Sequence, residues 1–252
     1  MQNTLTAAVL LIGNELLSGS IQDLNLAHIA TRLEERGIRV RETRIVPDIQ
    51  SEIVDAVNAL RAKYQYVFTT GGIGPTHDDI TSDAVAAAFG VDNVIQQDVF
   101  DTIAHYLNSK GIEFTPAAQR MAHAPEGARM IRTDQSVIPG YCVDNVYVMA
   151  GVPSIMRKML DGIISELDTG IAIVNKKIHA NVGEGEIAAA LEAVQTRYPQ
   201  IDIGSYPQDR GSTMSEYRVV FIVKGTDEYT IDTACREILD ACHAAGHDAT
   251  LG

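Results

Sequence analysis

The chain has no tryptophan, only three cysteines, and 20 Lys and Arg against 33 Asp and Glu in 252 residues. Each scarcity excludes something. An odd, small number of cysteines does not make a disulfide framework; Cys235 and Cys242 stand on an expected helix, about 10 Å apart along its axis, too far to bridge. A reducing cytoplasm fits that usage. A net charge of −13 argues against broad nucleic-acid binding, which needs clustered Lys and Arg to displace counterions. Acidic ligands would therefore need local basic groups or a cation. Long apolar runs are missing too: Ala7 to Ile12 is too short for a signal peptide or a membrane span and lacks a basic flank, so it reads as a buried first strand. No glycine loop ends in Gly-Lys-Ser/Thr and there is no Gly-x-Ser-x-Gly, which disfavours P-loop kinases and GTPases as well as α/β hydrolases. His243 and His247 share a helical spacing, but Gly246 breaks the helix between them and no cysteine is suitably placed, so a zinc site is not expected.

What is present is an ordinary folded composition, 46% hydrophobic and 21% charged, at a length that suits one large domain with a smaller one. The first half alternates apolar strands with amphipathic helices, the pattern of a parallel sheet covered on both faces. Strands are expected over 5–12, 38–46, 64–70 and 146–153, with helices over 25–36, 48–63, 81–90, 97–110, 116–123 and 154–167. Gly37, Gly90 and Gly111 are placed to end helices, Asp48 to cap the second, and Thr81 or Ser82 to cap the third. The pattern changes near Asp168, giving domains at 1–168 and 169–252. The second reads strand (171–180), helix (184–197), two strands (201–206 and 216–224) and helix (230–245), a small α+β unit of β-α-β-β-α order. A polar turn, PQDRGSTMSE, separates its last two strands.

The densest chemistry lies in TTGGIGPTHDDITSD, Thr69 to Asp83. In an open parallel sheet, ligands sit where strands run into helices, and three loops fall at that edge: 13–19, 46–49 and 71–83. Gly71, Gly72 and Gly74 permit close backbone approach, and the helix beginning near Thr81 offers unpaired N–H groups, so the loop reads as an anion site or, more plainly, as a tight turn. Asp78 and Asp79 restrict what it holds. A phosphate beside carboxylates in a partly dry site is repelled by several kcal/mol at an effective dielectric of about 20 unless a divalent cation lies between them. Mg²⁺ or a relative uses one or two carboxylates plus substrate oxygens, which suits this sparse acidic loop. Asp48 is a further carboxylate, or else only a helix cap. Glu15 could approach from the first loop, and His77 is a phosphate contact or an exposed loop residue.

TTGGIGPTHDDIT, with LLIGNELLSGSIQDLN upstream and IVPD between them, resembles the molybdopterin-binding fold of molybdenum-cofactor biosynthesis proteins, and more narrowly the N-terminal part of the CinA family. The segment from Gly170 onward is similar to the small KH-type domain of that family, without the amidase domain that follows in longer members. The resemblance implies an α/β fold, a three-layer domain with a mainly parallel sheet followed by the small α+β domain. It implies catalysis by Asp48 and Asp79, a divalent cation (Mg, Mn or Co) at Glu15, Asp48, Asp78 and Asp79, and substrate contacts from Gly13, Glu15, Ser18, Gly19, Gly71, Gly72, Gly74, Pro75, Thr76 and His77. Ser136 and Gly140 are added from TDQSVIPG, a segment that retains only Pro139 and Gly140 of the family's pattern. The activities implied are metal-dependent hydrolysis of a nucleotide diphosphate such as ADP-ribose or FAD, adenylyl transfer to molybdopterin with Arg44, Arg120, Arg129 and Arg132 as candidate phosphate partners, or nucleotide binding without turnover. Relatives imply a dimer or trimer acting on a small phosphorylated nucleotide or pterin. GEGE at 183–186 lacks the basic Gly-x-x-Gly loop that clamps RNA, so RNA is not expected despite the KH-like order.

Overall fold

The computed structural model describes residues 5–134, 136–208 and 217–252. The polar turn expected at 207–216 falls, from 209 onward, outside the described residues. The chain divides into two compact units, Met1–Gly170 and Ile171–Gly252. No helix among the described residues is long and apolar enough to cross a membrane.

The first unit runs β1 (Leu5–Ile12), α1 (Asn14–Leu17), α2 (Asn25–Glu35), β2 (Ile38–Val46), α3 (Gln50–Lys63), β3 (Tyr66–Thr70), α4 (Thr81–Phe89), β4 (Asn93–Ile95), α5 (Gln97–Ser109), α6 (Pro116–Arg120), β5 (His123–Pro125), β6 (Arg129–Ile131), β7 (Gly140–Val143), β8 (Val146–Met149) and α7 (Pro153–Ile163). Six strands form one sheet in the order β2-β1-β3-β8-β7-β6. Its first four strands are parallel, and β7 and β6 add on antiparallel.

Strand β1 explains the layering. Its side chains alternate, so Ala8, Leu10 and Ile12 meet Ile53, Val57 and Leu60 of α3 on one face. Ala7, Val9 and Leu11 meet Ile29 and Leu33 of α2 and Met156 and Leu160 of α7 on the other. Burial on both sides is why this strand is apolar from Ala7 to Ile12 rather than alternating. Gly37 (φ 72°) and Gly90 (φ 68°) take the left-handed conformation at helix ends, as their positions suggested.

The second unit runs β9 (Val174–Ala180), α8 (Glu184–Arg197), β10 (Asp202–Pro207), β11 (Val219–Gly225), α9 (Glu228–Ala244) and β12 (Ala249–Leu251). Its four strands are antiparallel in the order β10-β11-β9-β12. Ile178, Phe221 and Val223 of the sheet pack against Ile187 of α8 and Ile231 and Ile238 of α9 in a single core.

Several expectations need correction. Strand β12 extends the β-α-β-β-α order by one; with three residues, two of them exposed, it has no readable period. Strands β4, β5, β6 and β7 were not expected, because each has only three or four residues. The β7–β8 hairpin did carry a signal: Asp144-Asn145 is a two-residue connection, and Asp144 has φ 51°. His123 lies in β5 rather than ending a helix. All three cysteines are free and buried.

Candidate functional site

Parallel pairing of β2, β1 and β3 brings the loops that follow them to one edge of the sheet. The loop after β3 is fixed by its glycines and by Thr81. Gly71 (φ 104°) and Gly72 (φ 69°) occupy backbone conformations that side chains rarely adopt. A Cβ at Gly71 would strike the Ile12 carbonyl oxygen, and one at Gly72 would strike the Thr81 hydroxyl. Thr81, fully buried, donates its Oγ1 to the Gly71 carbonyl at 2.9 Å and its N–H to that of Gly72 at 3.0 Å. Thr81 is thus a staple within the first turn of α4 rather than a cap; the capping position is Ile80, with no side-chain cap, and Ser82 does not fill it.

A cleft of about 580 Å³ opens above these loops. Of the residues expected from sequence, it is lined by Gly13, Glu15, Asp48, Gly71, Gly72, Gly74, Pro75, Thr76, Asp78, Asp79 and Ser136. Four lie off its lining. Ser18 donates to the Glu15 carbonyl, Gly19 (φ 71°) closes the turn after α1, and His77 projects outward with its side chain 94% exposed. Gly140 sits inside β7, where a side chain would strike the Val148 carbonyl oxygen, so its small size serves strand packing.

The carboxylates are held by their surroundings. Asp48 accepts from the Asn14 N–H at 2.8 Å, tying the loop after β2 to the loop after β1. It does not cap α3, whose capping position is Ile49. Asp79 turns back on its own loop and accepts from the Thr76 N–H at 2.7 Å and from the Thr76 hydroxyl. That hydroxyl also lies near enough to Asp78 to hold its carboxyl below the usual carboxylate range. Glu15 folds over Gly13. Among the described residues no three His, Cys, Asp or Glu side chains converge as a metal-holding group. The four carboxylates named from sequence therefore line one cleft without forming a closed cage, because three of them are engaged with or folded over neighbouring backbone.

The cleft is one-signed. Glu15, Asp23, Asp48, Asp78 and Asp79 line it, and among the described residues no Lys or Arg does. The four arginines considered for a phosphate are committed elsewhere. Arg44 pairs with Glu42, Arg129 with Glu166 at 2.8 Å, and Arg132 with Asp98. Arg120 donates to the carbonyls of Pro75 and Thr76 at 3.0 and 3.1 Å, bracing the loop from outside the cleft. Within the loop, among the described residues, the N–H groups of Gly72, Ile73 and Gly74 meet no protein acceptor. Leu16, Ile21, Leu24, Val152 and Ile155 add apolar side chains to the same lining.

Sequence reasoning missed Asn25. This side chain is 4% exposed, donates its Nδ2 to the Gly151 carbonyl at 2.8 Å, and leaves Oδ1 buried and unpaired at the cleft wall. Its signal was within reach: Asp23 accepts from Leu26 N–H at 2.8 Å, a turn that a polar Gln-Asp-Leu-Asn run before a helix announces.

A glycine loop with free N–H groups, at the carboxyl edge of a three-layer and mainly parallel sheet, marks an α/β domain of the ligand-binding kind. Residues 8–169 match the family described as probable molybdopterin binding domain, and the chain belongs to that family. Residues 172–247 match the FAD synthase middle domain. A protein of Archaeoglobus fulgidus is 32% identical over 79% of this chain and 85% of its own length. A CinA-like protein of Desulfosudis oleivorans is 38% identical over 65% of this chain, but only 41% of that longer relative is covered. The crystal structure of the protein CinA from Thermoplasma acidophilum, whose function is described as unknown, superposes with a TM-score of 0.59 at 31% identity, covering 64% of this chain and 96% of that one.

Proposed function

We propose that the cleft hydrolyses the diphosphate of a nucleotide such as ADP-ribose or FAD with the help of a divalent cation, Mg²⁺, Mn²⁺ or Co²⁺. One observation carries this reading: among the described residues, the cleft is lined by five carboxylates and no basic side chain, and three residues of its lining have backbone N–H groups without a protein acceptor. Such a surface accepts a phosphorylated guest only when positive charge arrives with it. The donor set suits a hard cation, since carboxylate and amide oxygens are its preferred ligands and an open arrangement leaves coordination positions for water and substrate. Asp48 and Asp79 are the residues to hold it, with Glu15 and Asp78 within the same lining. When bound, the cation would polarise a phosphoryl oxygen and acidify a coordinated water.

The chain's own groups do the rest. The N–H groups of Gly72, Ile73 and Gly74 donate to phosphoryl oxygens. Asp79 leaves Thr76 as ligand enters, which frees the Thr76 N–H as a further donor. Asn25 Oδ1 accepts from a ligand hydroxyl or amine, and the apolar side chains of the lining exclude water beside the reacting bond. The match of the second unit to the FAD synthase middle domain accords with a nucleotide ligand. Adenylyl transfer to molybdopterin is less well supported, because the arginines it would need are spent on Glu42, Glu166, Asp98 and the loop carbonyls. The test is incubation with ADP-ribose and with FAD in Mg²⁺, Mn²⁺ and Co²⁺. AMP release is the expected result, and its absence with every pairing would defeat the proposal.

A further inference from the structure

Behind the glycine loop lies a second, smaller cavity of about 160 Å³. It shares Gly72, Ile73, Gly74, Asp79 and Ile138 with the main cleft, so the loop is a common wall. Val99, Ala122, Ala124, Met130 and Pro139 give it apolar sides. Three residues of its lining each carry a buried polar atom with no hydrogen-bond partner: Asn93 Oδ1, His123 Nδ1 and Tyr141 Oη. Buried polar groups are nearly always paired, and three such atoms around one cavity mean that something else satisfies them.

The chemistry of each atom narrows what that is. Asn93 donates its Nδ2 to the Asp83 carboxylate at 2.7 Å. A carboxylate only accepts, so the amide orientation is fixed and Oδ1 is the face left over, an acceptor needing a donor. Tyr141 is 2% exposed, and its burial pushes the phenol well above the ordinary tyrosine range, so it keeps its proton and has one to donate. It lies beside Ser82 without a well-formed hydrogen bond to it. The cavity's size matters as well. An apolar cavity of about 150 Å³ stays dry and takes up benzene, so this one has room for one six-membered ring, with polar atoms that call for a polar ring edge.

We propose that this cavity is a subsite for the six-membered ring of an adenine-type base, its exocyclic amine donating to Asn93 Oδ1 and its ring nitrogen accepting from Tyr141. The choice of adenine rests on the proposed nucleotide reading, because that base is common to ADP-ribose and FAD; the ring and the donor–acceptor edge rest on the cavity itself. A phosphate over the glycine loop and a base behind it then belong to one ligand, and the loop divides them.

Nucleosides without phosphate, in the absence of divalent cation, test the subsite apart from the reaction. Calorimetry should find adenosine bound about tenfold more tightly than purine riboside, which lacks the amine, and more tightly than inosine, whose edge is reversed. In Asn93→Ala the preference for adenosine over purine riboside should shrink to about twofold or less. Tyr141→Phe, which removes one hydroxyl and keeps the ring, should weaken adenosine and purine riboside alike, since both keep the accepting ring nitrogen, with an unchanged melting temperature showing that the fold is intact. The imidazole nitrogen resonances of His123 should shift on adding adenosine. Equal binding of the three nucleosides, tighter binding of inosine, an unaltered preference in Asn93→Ala, or no binding at all would overturn the proposal and leave the cavity to water. A protein that releases AMP yet shows no base preference loses only the subsite; one that prefers adenosine yet never turns over loses only the hydrolase.

Discussion

The two units use the same materials, strands and helices around an apolar core, and differ in what their topology leaves open. In the first, parallel strands send three successive loops to one edge, and each loop arrives with its own carboxylates. In the second, antiparallel pairing divides the strand ends: β9 and β10 both finish beside the start of β11, where Ala180 and Pro207 pair with Val219, and β11 finishes at the other end. Their polar groups diverge accordingly. Unit one leaves buried polar atoms unpaired on residues that line the two cavities described, Asn25, Asn93, His123 and Tyr141. In unit two, polar groups at the start of α8 are tied to one another: Glu186 accepts from the Gly183 N–H at 3.2 Å and lies 2.8 Å from His247 Nε2. Asn181 Oδ1 of unit two is buried and unpaired as well, but the unpaired groups of unit one gather in the lining of cavities, which is where a ligand can supply the missing partners.

The largest expected effect that sharpens this contrast is on turnover. Asp79→Asn or Asp48→Asn should lower kcat/KM for a nucleotide diphosphate by about 10²-fold or more, in the range typical of lost catalytic groups. Asp227→Asn, which alters the carboxylate that caps α9 by accepting from Thr230 at 2.9 Å, should leave turnover unchanged and cost only about a few degrees of melting temperature. Steady-state kinetics and thermal unfolding of the three variants check both statements.

Glycine gives an effect of opposite sign in the two units. Gly72→Ala puts a side chain at φ 69° and against Thr81, and should destabilise by about 1–3 kcal/mol in denaturant unfolding. Gly185→Ala lies in α8, where an added Cβ meets nothing, and should stabilise by about 0.5–1 kcal/mol. If both substitutions proved equally mild, the strained loop described for the first unit would be wrong.

The smallest effect is one of pH. Glu42 joins β2 to the end of α3 through Lys63 at 2.9 Å and Tyr64 at 2.7 Å, with Arg44 beside it. Hydrogen bonds from Lys63, then Tyr64 and Arg44, hold its carboxyl at about 2, below the ordinary value of 4.5. A folded pKa below the unfolded one means that the stabilisation is complete above about pH 4.5 and disappears as pH falls through about 2. Glu42→Gln should therefore lower stability at neutral pH and converge on the wild type in strong acid. Unfolding followed across that window gives the answer.

The layered architecture was legible because long periodic segments specify it: β1 reads as buried on both faces, and Gly37 and Gly90 end their helices where the spacing placed them. The loop edge was legible for the same reason, since parallel strands dictate where their connections go. What escaped was short or non-local. Strands of three or four residues have no period, and Asp48 looked like a cap because the sequence cannot reveal that Asn14 reaches it from the neighbouring loop. The second cavity escaped entirely. Asn93, His123 and Tyr141 are far apart in the chain and carry no motif; only the fold gathers them.

The claim on which the account turns is that this acidic cleft admits a phosphorylated ligand only in company with a divalent cation. Calorimetric titration of the intact protein with ADP-ribose, once with Mn²⁺ and once with EDTA, tests it directly, with Asp79→Asn as the companion titration. The account predicts binding with Mn²⁺, none detectable in EDTA, and marked weakening in Asp79→Asn. Equal affinity with and without the cation would contradict it.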